Sequence, residues 1–117
     1  MGDDEKFRID LEDLISRLLP NRNDSPVIKL NAVREKLVEL HRQNLVKINH
    51  SVMEVICAKD LILKGYDVDV EHRLSESLVC DVLGIKGDGR AVVEIETGFA
   101  GSRTSNTHSM VFLAYRL

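Results

Sequence analysis

The sequence predicts an α+β fold: N-terminal helices, then a core helix packed on a three-stranded antiparallel meander, closed by a short C-terminal element. Three observations carry this. Apolar residues recur at helical spacing through roughly the first half of the chain. From Tyr66 the pattern changes to period-two alternation and short β-branched runs. Lys86-Gly87-Asp88-Gly89 then separates two such runs as a hairpin turn does. Helices followed by a run of strands form an α+β layer. Residues 1–49 read as an N-terminal helical region and residues 50–117 as an α/β core.

The first helix covers residues 7–19, with Phe7, Leu11, Leu14, Ile15, Leu18 and Leu19 on its apolar face, and Pro20 ends it. Ser25-Pro26 reads as an N-cap followed by proline at the first helical position. The second helix covers residues 27–48. Its stripe of Leu30, Val33, Leu37 and Leu40 has the spacing of a dimer seam, and the phase shifts at Leu45 and Ile48. Residues 49–51 form a break. The third helix runs to Lys64, apolar around most of its circumference and so buried against a sheet, with Glu54 as the exception. Gly65 suits the position just past its end. Residues 66–73 alternate as a strand with one wet face, and residues 79–85 and 91–95 are the hairpin strands. Residues 98–107 form a loop rich in Gly, Ser, Thr and Asn. Periodicity leaves residues 108–117 as either a closing helix or a strand.

With 117 residues the chain is long enough for one domain with a modest core. Hydrophobic residues at 44% and charged residues at 30% describe a soluble globular chain. No apolar run approaches the roughly 18 residues of a transmembrane helix. The acidic start lacks the apolar segment of a signal peptide, so the expected compartment is the cytoplasm. Cys57 and Cys80 lack CxxC spacing and read as buried thiols. A net charge of −3 argues against indiscriminate nucleic-acid binding but leaves room for a local basic surface. Lys29, Arg34, Lys36, Arg42 and Lys47 form the most basic stretch, read as a solvated helix face or a DNA-contacting one.

Three carboxylates interrupt the apolar hairpin: Asp81, Glu94 and Glu96. Acids are depleted in strands and rarely buried without partners. A two-residue turn at Gly87-Asp88 sets Asp81 opposite Glu94, and one at Asp88-Gly89 sets it opposite Glu96. Either register puts all three acids on one face, with directly opposed Cβ atoms about 4.5–5.5 Å apart. Such a cluster repels itself at neutral pH, and a divalent cation relieves it. Hard oxygen ligands suit Mg²⁺, Mn²⁺ or Ca²⁺. His41, His50, His72 and His108 show neither HxxxH nor HxH spacing, so a zinc site is not expected; His50 could begin the core helix near the acids but reads first as a capping or surface residue.

A helix, then three strands, with Asp on the second strand and Glu-x-Glu on the third, resembles the PD-(D/E)XK (restriction-endonuclease-like) nuclease superfamily, which includes Holliday-junction resolvases. The resemblance covers residues 50–117. Asp81 matches the motif Asp, Glu94 its second acid, and Glu54 the acid many members carry on the first core helix. Cys80 stands in place of the motif proline and Glu96 in place of its lysine, a variant found in a minority of members. Lys59 and Lys86 are alternative sources of the lysine. Few residues follow Glu96, so the core looks truncated, completed by a second copy, or degenerate.

The resemblance implies a Mg²⁺- or Mn²⁺-dependent DNA endonuclease, acting as a homodimer. The implied metal ligands are Asp81, Glu94 and the Ile95 carbonyl, with Glu96 or Glu54 orienting the nucleophile and with Arg103 and the basic stretch on phosphates. The alternative is a catalytically inactive nuclease-like domain that binds nucleic acid or serves in assembly.

Overall fold

The computed structural model describes residues 3–21, 23–96 and 109–116, with backbone alone at Asp3, Glu96 and residues 109–116. Helix α1 spans Asp3–Leu18, α2 Ser25–Arg42 and α3 Ile48–Leu63. Strands β1 (Asp67–Ser75), β2 (Leu78–Lys86), β3 (Gly89–Glu96) and β4 (Ser109–Arg116) follow. The four make one antiparallel sheet in the order β1-β2-β3-β4. The three helices, the antiparallel β1-β2-β3 meander and the C-terminal element are thus those the sequence predicts. The element left open, residues 108–117, is a strand over Ser109–Arg116.

The helices cover one face of the sheet. On α1, Phe7, Leu11 and Ile15 recur every four residues and are buried, as the helical period requires. On α2, Leu30, Val33 and Leu37 bury in the same cluster as Val55, Ala58, Leu61 and Ile62 of α3 and Val70, Val82 and Val93 of the sheet. The stripe read as a dimer seam is therefore internal, and the homodimer loses that basis. Asp24, not Ser25, takes the N-cap position of α2, and Pro26 lies in its first turn.

Helix α2 ends at Arg42, well before Ile48. Asn44 adopts a left-handed conformation (φ 61), and the Asn44 and Leu45 amides bond back to the His41 and Leu40 carbonyls. Asparagine tolerates that conformation better than most residues. The phase shift at Leu45 marks this break, and Leu45 is 61% exposed. Gly65 (φ 96) follows α3 as expected of a residue just past a helix end.

Lys86 pairs with Gly89, so Gly87-Asp88 is the turn. Gly87 has φ 61, the positive value that the first turn position of a II′ hairpin requires. At the outer edge of β1, Lys29 Nζ donates to Asp67 and Lys36 Nζ to Asp69, each at 2.9 Å, so α2 is pinned along that strand. Among the described residues, no helix is long and apolar enough to cross a membrane.

Candidate metal centre

The site grows out of a break in strand alternation. Val68 and Val70 of β1 and Val82 of β2 face the helices. Strict alternation would send Glu71 and Asp81 to the opposite face. The β1–β2 ladder pairs Val70 with Val82 and His72 with Cys80, and Glu71 and Asp81 between them form no regular pair. Glu71 has φ 49, a left-handed backbone that costs an ordinary residue about 1–2 kcal/mol. Both strands change face here. Asp81 turns toward α3, while Cys80 joins Leu83, Val92 and Leu74 in a separate cluster on the outer side. The Ile95 amide donates to Asp81 Oδ2 at 2.6 Å and fixes that carboxylate where the β2–β3 ladder ends.

From the helix side, His50 and Glu54 are four residues apart on α3 and so share a face. His50 Nε2 lies 3.1 Å from Asp81 Oδ1, 3.2 Å from Glu54 Oε2 and 3.8 Å from Glu71 Oε2. One ligand atom from each of His50, Glu54, Glu71 and Asp81 can be chosen so that all four lie within 4.8 Å of one another. Glu54 is completely buried, and neither of its oxygens is in an aligned hydrogen bond despite the short approach to His50. Burial first, then a hydrogen bond from the protonated carboxyl to Glu71 and the charges of Glu71 and Asp81, push its carboxyl pKa up to about 11. Lys36 opposes this from a distance. Without a cation, Glu54 therefore holds a proton at neutral pH.

Of the expected ligands, Asp81 is in this group and Glu94 is not; Glu54, expected to orient the nucleophile, joins Asp81 there. The Gly87-Asp88 turn gives the register that sets Asp81 opposite Glu94, but the two acids do not share a face. Val93 and Ile95 both bury on the helix side, so alternation directs Glu94 to the outer side, where its charge adds to burial in raising the pKa of the Cys80 thiol. Glu94 remains within electrostatic reach of the group. Burial, then Asp81 and Glu71, hold its carboxyl above the usual range. The part of Ile95 that meets Asp81 is its amide, not its carbonyl. The Glu96 side chain and Arg103 lie outside the described residues.

His50 and Glu71 were missed by sequence reasoning. The spacing of His50 and Glu54 was a usable signal. Glu71 carried none, because its place depends on the face change. The basic stretch is mostly occupied: Lys29 and Lys36 with Asp67 and Asp69, Arg34 with Glu35 and Asn31, Arg42 with Glu39. Lys59 pairs with Asp60, and Lys86 donates to the Lys64 carbonyl. Neither lysine reaches the group, so the lysine the family motif would supply has no counterpart from them. Lys47 alone of the stretch borders the site. It lines a cavity of about 940 Å³ together with His50, Glu71 and Asp81.

Comparison with protein-family models, curated proteins and solved structures finds no match to this chain.

Proposed function

We propose that this chain is a divalent-cation-dependent phosphodiester hydrolase acting on DNA, with His50, Glu54, Glu71 and Asp81 as the cation's ligands. The observation that carries the reading is Glu54, a fully buried carboxyl with no aligned hydrogen bond, facing two more carboxyls and an imidazole. Leaving a buried polar group unsatisfied costs roughly 1–3 kcal/mol. Glu54 ionises only where a cation offsets the neighbouring Glu71 and Asp81 carboxylates, and that cation then supplies the partner its oxygens lack. The donor set fits such an ion. One imidazole with three carboxylates suits Mn²⁺ better than Mg²⁺, which favours oxygen alone.

When bound, a divalent cation neutralises phosphate charge and acidifies water. The chain's residues have separate tasks. The Ile95 amide orients Asp81. His50 presents Nε2 to the three acids.

One observation favours a second reading. His50 Nε2 already sits within 3.2 Å of two carboxylates, so a protonated imidazole can itself act as the cation of the cluster. The chain would then be a non-catalytic nucleic-acid-binding or assembly module. Nicking of supercoiled DNA with Mn²⁺ or Mg²⁺ separates the two. The hydrolase reading expects metal-dependent nicking that disappears in Asp81→Ala. DNA binding with no nicking under either metal selects the module.

A further inference from the structure

We propose that His41 is the general acid of the reaction and gives its proton to the oxygen that leaves phosphorus; this rests on reading the His50 group as the cation site of a hydrolase. Three of the four proposed ligands, His50, Glu71 and Asp81, line the cavity of about 940 Å³. The fourth, Glu54, is fully buried and does not line it. The group is thus closed on the Glu54 side and open on the cavity side, as a catalytic site is and a structural one is not. The cavity falls within the range of about 300–1,000 Å³ that holds a small ligand.

His41 borders the same cavity. It belongs to the last turn of α2, and residues 44–49 continue the cavity lining from there to His50. Its ring is held on two sides. Nδ1 lies 3.2 Å from Oδ1 of Asp4, and a carboxylate only accepts, so Nδ1 donates. One face stacks on Phe7, with ring centroids 4.4 Å apart and planes 29° apart. Phe7 is itself buried in the core, so this backing is fixed. Among the described residues Nε2 has no partner, and His41 pairs with none of the acids of the His50 group. An imidazole fixed through Nδ1 by a carboxylate, with Nε2 left for the reacting group, is the arrangement that moves protons in catalysis. The Asp4 pair by itself would be a clasp between α1 and α2. The cavity shared with His50, Glu71 and Asp81 gives it a second use.

Hydrolysis of a phosphodiester sets the attacking and leaving oxygens roughly in line across phosphorus. With the water on the side of His50, Glu71 and Asp81, the leaving oxygen points away from those residues and toward the separate wall that His41 forms. The water oxygen bonds to phosphorus as the bond to the leaving oxygen breaks. The leaving oxygen keeps the electron pair and takes the Nε2 proton. The attacking water releases one proton to solvent, and solvent returns one to His41.

The test uses the full chain and a DNA oligomer in which the linkage cut by wild type with Mn²⁺ has been mapped. That linkage is then remade with sulfur in place of its leaving oxygen, because a thiolate departs without being protonated. General acid catalysis contributes about 10²–10⁴-fold, so His41→Gln should slow the oxygen linkage at least about 100-fold and the sulfur linkage about tenfold or less. Asp4→Asn, which keeps the ring but weakens its hold, should show the same contrast at smaller size. Mn²⁺ affinity of His41→Gln, read by electron paramagnetic resonance, should stay within about twofold of wild type, as for independent sites. Equal slowing of both linkages, or of neither, overturns the general acid and spares the hydrolase. A loss of Mn²⁺ affinity that matches the loss of rate does the same. A wild type that cuts no linkage with Mn²⁺ or Mg²⁺ overturns the hydrolase and the general acid together.

Discussion

At the turn end of the β2–β3 hairpin, Lys86 faces Gly89, Ile85 faces Arg90 and Gly84 faces Ala91, and side chains alternate without interruption. At the other end, the ladder stops at Val82 and Val93, Asp81 takes the Ile95 amide onto its own side chain, and Asp81 and Glu71 both turn inward. The same strands thus follow local rules at one end and break them at the other. Near the turn the residue pairing runs without a gap, so pleat geometry decides which way a side chain points. Near Asp81 the ladder lacks a rung, and the packed helix decides instead. The strained Glu71 backbone and the unsatisfied Glu54 carboxyl both lie at that second end.

The largest expected effect separates the two ends by metal linkage. At free Mn²⁺ one hundred times its dissociation constant, wild type should gain about 2.7 kcal/mol. For a domain of this size, that is a melting shift on the order of 10 °C. Asp81→Asn should lose the shift but keep its apo stability, because the asparagine oxygen still accepts from Ile95. Equal Mn²⁺ shifts in both proteins would leave Asp81 a purely structural acid.

Glu54 gives a pH signature of a few kcal/mol. Its carboxyl pKa is raised from 4.5 to about 11 in the folded chain, so the folded state retains a proton that the unfolded state releases. Stability of the metal-free protein should therefore fall as pH rises above about 4.5, by at most ~1.4 kcal/mol per pH unit. Glu54→Gln does not titrate and should flatten the curve while abolishing Mn²⁺ binding. Parallel melting curves for the two proteins between pH 5 and pH 8, about the range over which most proteins are most stable, would contradict the burial argument.

Two positive-φ positions sharpen the contrast further. Glu71→Gly should relieve left-handed strain and be about 1 kcal/mol more stable than Glu71→Ala, although glycine is normally the worse strand residue. Both variants should lose Mn²⁺ affinity. Gly87→Ala should cost about 1 kcal/mol through its φ of 61, although a Cβ there meets nothing within 4 Å, and should leave Mn²⁺ affinity unchanged. Chemical denaturation of all three measures both differences. An Mn²⁺ defect in Gly87→Ala would show that the two ends are coupled.

The smallest effect is at the strand edge. Lys29→Ala removes an ion pair to Asp67, whose side chain is 81% exposed, and should cost less than about 1 kcal/mol. It should leave DNA affinity nearly unchanged, since that lysine is already engaged within the chain. A large loss of DNA binding in a filter or anisotropy assay would restore α2 as a DNA-contacting face.

Local chemistry made much of this protein legible in the sequence. The 3.6-residue period placed the apolar faces of α1, α2 and α3, Pro26 and Gly65 marked helix ends, and the glycines around Asp88 announced the hairpin. These signals act between neighbours in the chain, so no tertiary information is needed to read them. Local rules singled out Asp81 as an acid in a strand and Glu54 as the exception on an apolar helix, and only the family resemblance gave Glu54 a role. What the sequence could not fix was which acids meet. Alternation joined Asp81 to Glu94, but the tertiary structure joins it to Glu71, Glu54 and His50. The face of a strand residue is set by pairing and packing with distant segments, and a single missing rung reverses it. The stripe on α2 shows the same limit, since a heptad-like pattern buries equally well against a second copy or against its own sheet. Here α3 and the sheet supply the apolar surface, and the stripe turns inward.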